Sequence, residues 1–132
     1  MEDSIFTRII KGEVPCAKIY EDENIYAFLD IHPIKPGHVL VVPKLQVSHF
    51  EQLDDDVYVQ LFLVVKQVAR RIKQILHSER VCVRIEGFDV QHVHIHVYPC
   101  NSAQEFYGEE DRLEKEPDYP ALTEMSKRLA FY

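Results

Sequence analysis

The stretch Gln91–Pro99 reads QHVHIHVYP and places histidines at alternate positions, His92, His94 and His96. Valine and isoleucine fill the positions between them, and this period-two pattern of β-branched residues predicts a strand. Side chains two residues apart on a strand point to the same face, with a spacing of about 6–7 Å. The pattern therefore predicts three imidazoles on one wet or reactive face and aliphatic side chains on the core face.

The composition is that of a globular domain, with 132 residues and a formal net charge of −7. The acidic balance argues against a nucleic-acid polymer as partner, because such binding depends on Lys and Arg at phosphates. It allows a single nucleotide. Three scattered cysteines without a C-x-x-C pair argue against a disulfide framework and a cysteine zinc site. Without a signal-peptide pattern or a membrane-spanning apolar run, the sequence predicts a cytoplasmic protein away from membranes.

Hydrophobic periodicity predicts about five strands, one long helix and two short helices. The predicted strands are Ala17–Glu21, Ile25–Asp30, His38–Pro43, Val81–Glu86 and the histidine strand. The predicted helices begin at Asp3 or Ser4, at about Asp54 and after Pro120, and a surface loop is predicted between Ser102 and Asp118. This order indicates one α+β domain over residues 1–132, with a largely antiparallel sheet and helices on one face. Residues 1–101 form its predicted core, and 102–132 its terminal loop and helix.

The histidine row allows three interpretations, because imidazole serves as nucleophile, acid or base, hydrogen-bond donor and metal ligand. In the first, His94 is a nucleophile at a phosphorus or acyl centre, and its neighbours fix its tautomer and donate to phosphate oxygens. In the second, two or three of the histidines bind zinc and leave one position open for water. In the third they are surface residues without a role, which their strict alternation on an aliphatic strand argues against.

The segment HVHIHVY, residues 92–98, resembles the H-φ-H-φ-H-φ-φ signature of the histidine triad (HIT) family of nucleotide hydrolases and transferases, where φ is apolar. The similarity extends over SIFTRIIKGEVPCAKIYEDENIYAFLDIHPIKPGHVLVVPK, residues 4–44, including FLDI and PGH. The resemblance implies the α+β fold of that family and usually a homodimer. It also implies chemistry in which the middle histidine attacks the α-phosphorus of a nucleotide derivative.

The resemblance also implies roles for individual residues. His94 would form the nucleotidyl intermediate, His92 would orient it, and His96 and His38 would contact phosphate oxygens or help the leaving group. Asp30 matches the carboxylate that holds the ribose hydroxyls, and a carboxylate can accept from both hydroxyls of a diol. Six apolar positions match the base pocket, where the alternative for each is plain core packing: Ile5, Phe6, Ile9, Phe28, Leu29 and Ile31.

Two departures from the family pattern concern metal and phosphate binding. Many bacterial members hold a structural zinc with a C-x-x-C pair and two histidines, but Ser4, Thr7 and Gln46 occupy three of those positions and only His92 remains. Serine and threonine do not replace thiolates, so we expect no metal. The loop before the triad is about four residues shorter than in phosphoramidase-like members and lacks their Gly-Gln-Ser or Gly-Gln-Thr donors.

Three residues near this loop are candidate replacements for the missing phosphate donors. They are Val90 and Gln91 through their backbone N–H groups, Gln91 through its amide, and Asn101 just past the strand. The donors could come from any of them.

Taken together, the sequence predicts a cofactor-free hydrolase of phosphoramidate, acyl-phosphate or phosphoanhydride derivatives of AMP or GMP, acting through a covalent nucleotidyl-His94. One alternative is a nucleotide-binding module with little turnover. The other is a metallohydrolase with zinc on the histidine row, which the absence of an evident carboxylate ligand beside the histidines disfavours.

Overall fold

The computed structural model describes residues 2–108 and 111–131. Within these ranges the chain forms four α-helices and five strands, interrupted by 3₁₀ turns at Phe50–Gln52 and Arg112–Glu114. In chain order the elements are α1 (Ile5–Ile10), β1 (Lys18–Glu21), β2 (Ile25–Leu29), β3 (Val39–Pro43), α2 (Asp55–Leu76), β4 (Arg80–Arg84), β5 (Ile95–Cys100), α3 (Ala103–Tyr107) and α4 (Tyr119–Leu129).

The five strands form one antiparallel sheet in the order β1-β2-β3-β5-β4, which confirms the predicted α+β class. β4 and β5 are antiparallel neighbours, and residues 85–94 connect them. In this register, His96 lies opposite Leu40 of β3 on one side and Arg84 of β4 on the other. Residues on three strands therefore surround the second half of the histidine row.

One face of the sheet is covered by α2 and α4. Asp54 precedes α2, and Asp55 and Asp56 lie in its first turn, where carboxylates interact favourably with the helix dipole. Its buried side chains form an apolar stripe, Leu61, Val64, Val65, Val68 and Ile72. Leu129 of α4 joins the same core. The stripe therefore packs against the sheet and forms the main core of the protein.

The opposite face of the sheet is covered by α1, so the expectation that all helices pack on one face was wrong. Phe6 and Ile9 of α1 form a second cluster with Tyr26, Phe28, Leu40 and Val42. The physical reason lies in β2 and β3, whose residues are apolar at every position and buried throughout. Such strands require cover on both faces.

The predicted surface loop after β5 is also partly wrong, because it contains α3 and a 3₁₀ turn. The Ser102 hydroxyl accepts from the N–H of Glu105 and caps α3. The Tyr98 hydroxyl donates to the Phe106 carbonyl oxygen at 2.6 Å, and their rings stack. This segment therefore packs against the sheet on the histidine side. None of the described helices combines the length and the apolar character that a membrane crossing requires.

Candidate active site

The histidine row begins before the strand that carries it. β5 starts at Ile95, so His92 and His94 lie in the connection that precedes it. The row was predicted to lie on a wet or reactive face, and the wet alternative is wrong, because His92, His94 and His96 expose only 0%, 5% and 7% of their surface. His38, at the entry to β3, is fully buried beside them. The ring nitrogens of these imidazoles that point into the protein therefore need hydrogen-bond partners there.

One chain of hydrogen bonds determines the protons of His38 and His96. His38 Nδ1 accepts from the backbone N–H of Ile34 at 3.0 Å, so the proton of the neutral ring lies on Nε2. That Nε2–H group donates to His96 Nδ1 at 2.9 Å. His96 must then carry its own proton on Nε2. The neutral His96 ring is thus prepared to donate a hydrogen bond.

A second chain determines the protons of His92 and His94. His92 Nε2 is 2.8 Å from the Pro43 carbonyl oxygen and donates to it, which leaves Nδ1 as an acceptor for the Ser4 hydroxyl at 2.6 Å. His94 Nδ1 donates to the backbone carbonyl oxygen of His92 at 2.8 Å. The lone pair of His94 is therefore on Nε2, the nitrogen of a neutral imidazole that can act as a nucleophile.

Burial keeps the surrounding histidines uncharged. It lowers the pKa of His92 and lowers that of His38 well below the ordinary value. Burial, followed by the nearby charges of His94, Arg112 and Arg84, lowers the pKa of His96 to about 3. These three rings are therefore neutral at ordinary pH and act through their N–H groups and lone pairs.

A cavity of about 760 Å³ opens onto His94 and His96. All six apolar residues that the resemblance placed in a base pocket line it: Ile5, Phe6, Ile9, Phe28, Leu29 and Ile31. The Phe6 ring meets His94 edge-on, with 4.9 Å between ring centroids. A mostly apolar cavity of this size with a few polar groups suits a small ligand with a flat apolar face.

Asp30 connects the apolar part of this cavity with the histidines. Its Oδ1 accepts from the backbone N–H of His32 at 2.8 Å. Its Oδ2 lies 3.6 Å from His38 Nε2 and 3.9 Å from His96 Nδ1. Burial raises the pKa of the Asp30 carboxyl above its ordinary value. The carboxylate thus lies on the cavity wall beside the proton chain of His38 and His96.

Two arginines that the sequence analysis did not single out also line the cavity, Arg84 and Arg112. The Arg84 guanidinium donates to the Phe106 carbonyl oxygen at 2.7 Å and lies 5.0 Å from the Phe106 ring centroid. Arg112 donates to the His32 carbonyl oxygen. Arg84 could have been found as a cation within an apolar strand, but no periodicity marks Arg112, which only tertiary packing brings here.

The structure does not bring Asn101 to this cavity. Asn101 follows β5 at the end away from His94, and its side chain accepts from the backbone N–H of Glu79 at 2.8 Å. Gln91 is exposed, and the neighbouring Val90 lines the cavity in its place. Among the described residues, the arginines that line the cavity together with His94 and His96 are Arg84 and Arg112.

Carboxylates do lie beside the histidines, contrary to the sequence analysis. Among the described residues, candidate ligand atoms within 4.8 Å of one another belong to two groups, Asp30–His38–His96 and Glu86–His94–His96. A metal requires an unprotonated nitrogen. In His96, Nδ1 accepts from His38 and Nε2 carries the proton. Neither group therefore fits a metal unless the hydrogen bond between His38 and His96 breaks.

We expect the folded state to keep His96 neutral as the pH falls to about 3. In the urea-unfolded chain the same ring should titrate near 6.5. Because the folded pKa is the lower one, the unfolded chain binds more protons between these values. The contribution of the neutral His96 ring to the free energy of unfolding is therefore complete above pH 6.5 and is lost as the pH falls toward 3. NMR titration of the histidine ring carbons, folded and in urea, measures both values.

The control for this titration is His96→Asn, which identifies the resonance and removes the group. Its free energy of unfolding should fall less steeply between pH 6.5 and 3 than that of the unchanged protein. A His96 resonance that titrates near pH 6 in the folded protein would contradict the buried neutral ring.

Comparison with known proteins agrees with this geometry. The HIT domain family profile matches residues 11–103. The chain is 36% identical over 129 residues to the adenosine 5′-monophosphoramidase of Schizosaccharomyces pombe, covering 95% of this chain and 91% of that one. It is 39% identical over 99 residues to a HIT-like protein of Methanocaldococcus jannaschii, covering 72% and 77%. The fold matches the crystal structure of a Hit-like protein from Bartonella henselae, with a TM-score of 0.82, 26% identity and coverage of 98% and 97%. The chain belongs to the HIT family.

Proposed function

We propose that the protein is a nucleotide hydrolase that cleaves α-phosphate derivatives of purine mononucleotides through a covalent nucleotidyl-His94. The observation that carries the proposal is the proton arrangement of His94. The His92 carbonyl oxygen accepts from the Nδ1–H of His94, so His94 Nε2 is unprotonated. The His94 ring lies on the cavity wall. The similarity to an adenosine 5′-monophosphoramidase supports a purine nucleotide as substrate.

The reaction follows from the positions of these groups. The purine base occupies the apolar part of the cavity, and Asp30 accepts from the ribose hydroxyls. His94 Nε2 attacks the α-phosphorus, forming a P–N bond as the bond to the leaving group breaks and the leaving group takes up a proton from solvent. Water then attacks the same phosphorus and gives up a proton to solvent, the P–N bond to His94 breaks, and the mononucleotide is released. The His92 carbonyl oxygen stabilises the positive charge that His94 carries between the two steps.

His96 acts on the phosphate as a hydrogen-bond donor. Its Nε2–H is fixed by the donation from His38 to Nδ1, and this N–H can stabilise the charge that develops on a phosphate oxygen. With a pKa of about 3, His96 holds no second proton to give to a leaving group at ordinary pH. The role of His38 is to keep His96 in this tautomer.

Arg84 and Arg112 supply the positive charge that the shortened loop does not. Both line the cavity together with His94 and His96. Their charges contribute to lowering the pKa of His38 and of His96, so they act at the histidines. A guanidinium is suited to phosphate oxygens because its N–H donors form a planar fork.

Replacing the nucleophile should abolish both the intermediate and turnover. We expect rapid-quench incubation with adenosine phosphoramidate in EDTA, followed by intact-mass analysis, to reveal one adenylyl unit on the unchanged protein. His94→Ala should show no adduct, and the rate of AMP release should fall by about a thousandfold or more. His49→Ala is the matched control, because that side chain is 62% exposed.

Other outcomes would favour the alternatives. Tight AMP binding by the unchanged protein with neither adduct nor turnover would indicate a binding module. Activity that EDTA abolishes and zinc restores would indicate a metallohydrolase. Either result would contradict covalent catalysis by His94.

Removing the carboxylate at the proposed ribose site should weaken catalysis most for substrates with a 2′-hydroxyl. Asp30→Asn should lower kcat/KM for an adenosine substrate by about 10–100-fold, because hydrogen bonds to charged groups contribute about 1.5–3 kcal/mol. The loss should be several-fold smaller with the 2′-deoxy analogue. The control is Asp89→Asn, which changes another acid on the cavity wall. Equal losses with both substrates would contradict the ribose contact.

Replacing Arg112 tests whether the C-terminal segment contributes to catalysis, because Arg112 lies outside residues 11–103, which the HIT family profile matches. Arg112→Gln should lower kcat/KM by about 10–100-fold through loss of a charged donor to the phosphate. Arg128→Gln, on an exposed position of α4, should leave kcat/KM unchanged. Steady-state kinetics at low and high salt measure both variants. An Arg112→Gln enzyme with unchanged kcat/KM would show that phosphate charge is neutralised elsewhere.

The homodimer expected from the resemblance stays a prediction. β4 forms an edge of the sheet and carries Val83, which is exposed. α2 also exposes Val59 and Leu63. An edge strand and exposed apolar side chains are features that a second copy of the chain can cover.

A further inference from the structure

The residues at the zinc-binding positions of related bacterial proteins form a hydrogen-bonded cluster in this chain, Ser4, Thr7, Gln46 and His92. Gln46 Oε1 accepts from the Thr7 hydroxyl at 2.6 Å and from the Ser4 N–H at 2.8 Å. Gln46 Nε2 donates to the Glu2 carbonyl oxygen at 2.8 Å. The cluster joins the start of α1 to the segment after β3 and to the histidine row.

These residues do not fit zinc. The set contains two hydroxyls, one carboxamide and one imidazole, and it has no thiolate and no second imidazole. Zinc in structural sites is held by thiolates and imidazoles. Both ring nitrogens of His92 are already engaged, one with Ser4 and the other with Pro43. Hydrogen bonds therefore join α1, the segment after β3 and the histidine row at the position where the relatives bind zinc.

The position of every proton in this cluster follows from its acceptors. The Thr7 hydroxyl donates to Gln46 Oε1, and the Thr7 N–H donates to Ser4 Oγ at 3.0 Å. Ser4 Oγ lies 3.2 Å from Thr7 Oγ1 and 2.6 Å from His92 Nδ1, and Thr7 Oγ1 lies 3.4 Å from the same nitrogen. The shortest of these contacts assigns the Ser4 hydroxyl proton to His92 Nδ1. That ring nitrogen must be unprotonated, because the ring proton is on Nε2 and donates to Pro43. The Pro43 carbonyl thus sets the tautomer of His92, and the Ser4 hydroxyl donates to the nitrogen that this tautomer leaves unprotonated.

We propose that Ser4 is a positioning residue for the nucleophile, acting through His92. The Ser4 hydroxyl and the Pro43 carbonyl hold the His92 ring at both nitrogens, between α1 and the end of β3. The backbone carbonyl of the same residue accepts the His94 Nδ1–H. With the His92 ring fixed, this carbonyl stays directed at His94 and keeps the lone pair of His94 on Nε2. A tautomer set by a partner of the opposite ring nitrogen is a common way to orient a histidine.

Ser4 also couples the nucleophile to the wall of the cavity. It is the N-cap of α1, and the same helix carries Phe6, whose ring centroid lies 5.7 Å from that of His92 and 4.9 Å from that of His94. One hydroxyl therefore holds both the helix that lines the cavity and the histidine pair. The test must separate these two roles.

Three substitutions at Ser4 separate the cap from the donated proton. Ser4→Thr keeps both the cap and the hydroxyl. Ser4→Asp keeps the cap, since aspartate is a good N-cap residue, but it cannot donate to His92 Nδ1. Ser4→Ala loses both. Ser126→Ala is the matched control, because the Ser126 hydroxyl donates to the Thr123 carbonyl oxygen in an exposed hydrogen bond on α4.

The first readout is the ¹⁵N NMR spectrum of His92, identified with His92→Gln. In the unchanged protein and in Ser4→Thr we expect the Nε2–H tautomer with Nδ1 unprotonated. In Ser4→Asp we expect both ring nitrogens to be protonated, because the aspartate carboxylate and the Pro43 carbonyl only accept. A neutral ring with Nδ1 still unprotonated in Ser4→Asp would overturn the proposal. This readout needs no turnover, and it holds even where Ser4→Ala fails to fold.

The second readout is turnover, which rests on the proposed function. We expect Ser4→Asp and Ser4→Ala to lower kcat by about 10–100-fold with little change in KM, the cost typical of a lost orienting partner. Ser4→Thr and Ser126→Ala should keep kcat. If Ser4 only capped α1, Ser4→Asp would keep both the melting temperature and kcat, which would overturn the proposal. If the unchanged protein has no activity, the proposed function fails, while the ¹⁵N spectra still decide the role of Ser4.

Discussion

The structure depends on one requirement, that the ring nitrogens of four buried imidazoles which point into the protein each have a defined partner. Burial lowers the pKa of His38, His92 and His96, and an unpaired polar atom inside the protein would cost free energy. The protein meets this requirement with two separate chains of hydrogen bonds. One runs from the Ile34 N–H through His38 to His96, and the other from Ser4 through His92 to His94.

The two chains of hydrogen bonds leave Nε2 of their last ring in different protonation states, and this difference gives His96 and His94 different chemical roles. The first ends on His96 with a proton on Nε2, which makes a neutral donor. The second ends on His94 with a lone pair on Nε2, which makes a nucleophile. Two rings of the same kind, two residues apart, thus hold opposite roles because their Nδ1 atoms have different partners. His96 Nδ1 accepts from another ring, whereas His94 Nδ1 donates to a backbone carbonyl.

The cavity forms because helices pack on both faces of the sheet, but α1 covers the second face only in part. β2 and β3 bury every residue, so α2 packs against one side and α1 against the other. Since α1 is short, part of the second face stays open beside it. The segment after β5 borders this opening and brings Arg112, Leu113 and Tyr119 to the cavity wall. A part of the chain beyond the matched family region thereby helps to shape the site.

The residue pattern by itself determined the α+β class, the strands in their order along the chain and the histidine row, because periodicity and a motif of fixed spacing are local properties of a chain. The six apolar residues that line the cavity were named from the resemblance of the sequence to the HIT family. Tertiary structure alone decided that α1 covers the second face, that Asn101 stays away from the cavity, and that Arg112 reaches it. It also decided where each imidazole proton lies. A proton on a ring nitrogen is set by the partner of the opposite nitrogen, and here those partners come from positions as distant as Ser4 and His92. No local pattern contains that information, because only folding brings the partners together.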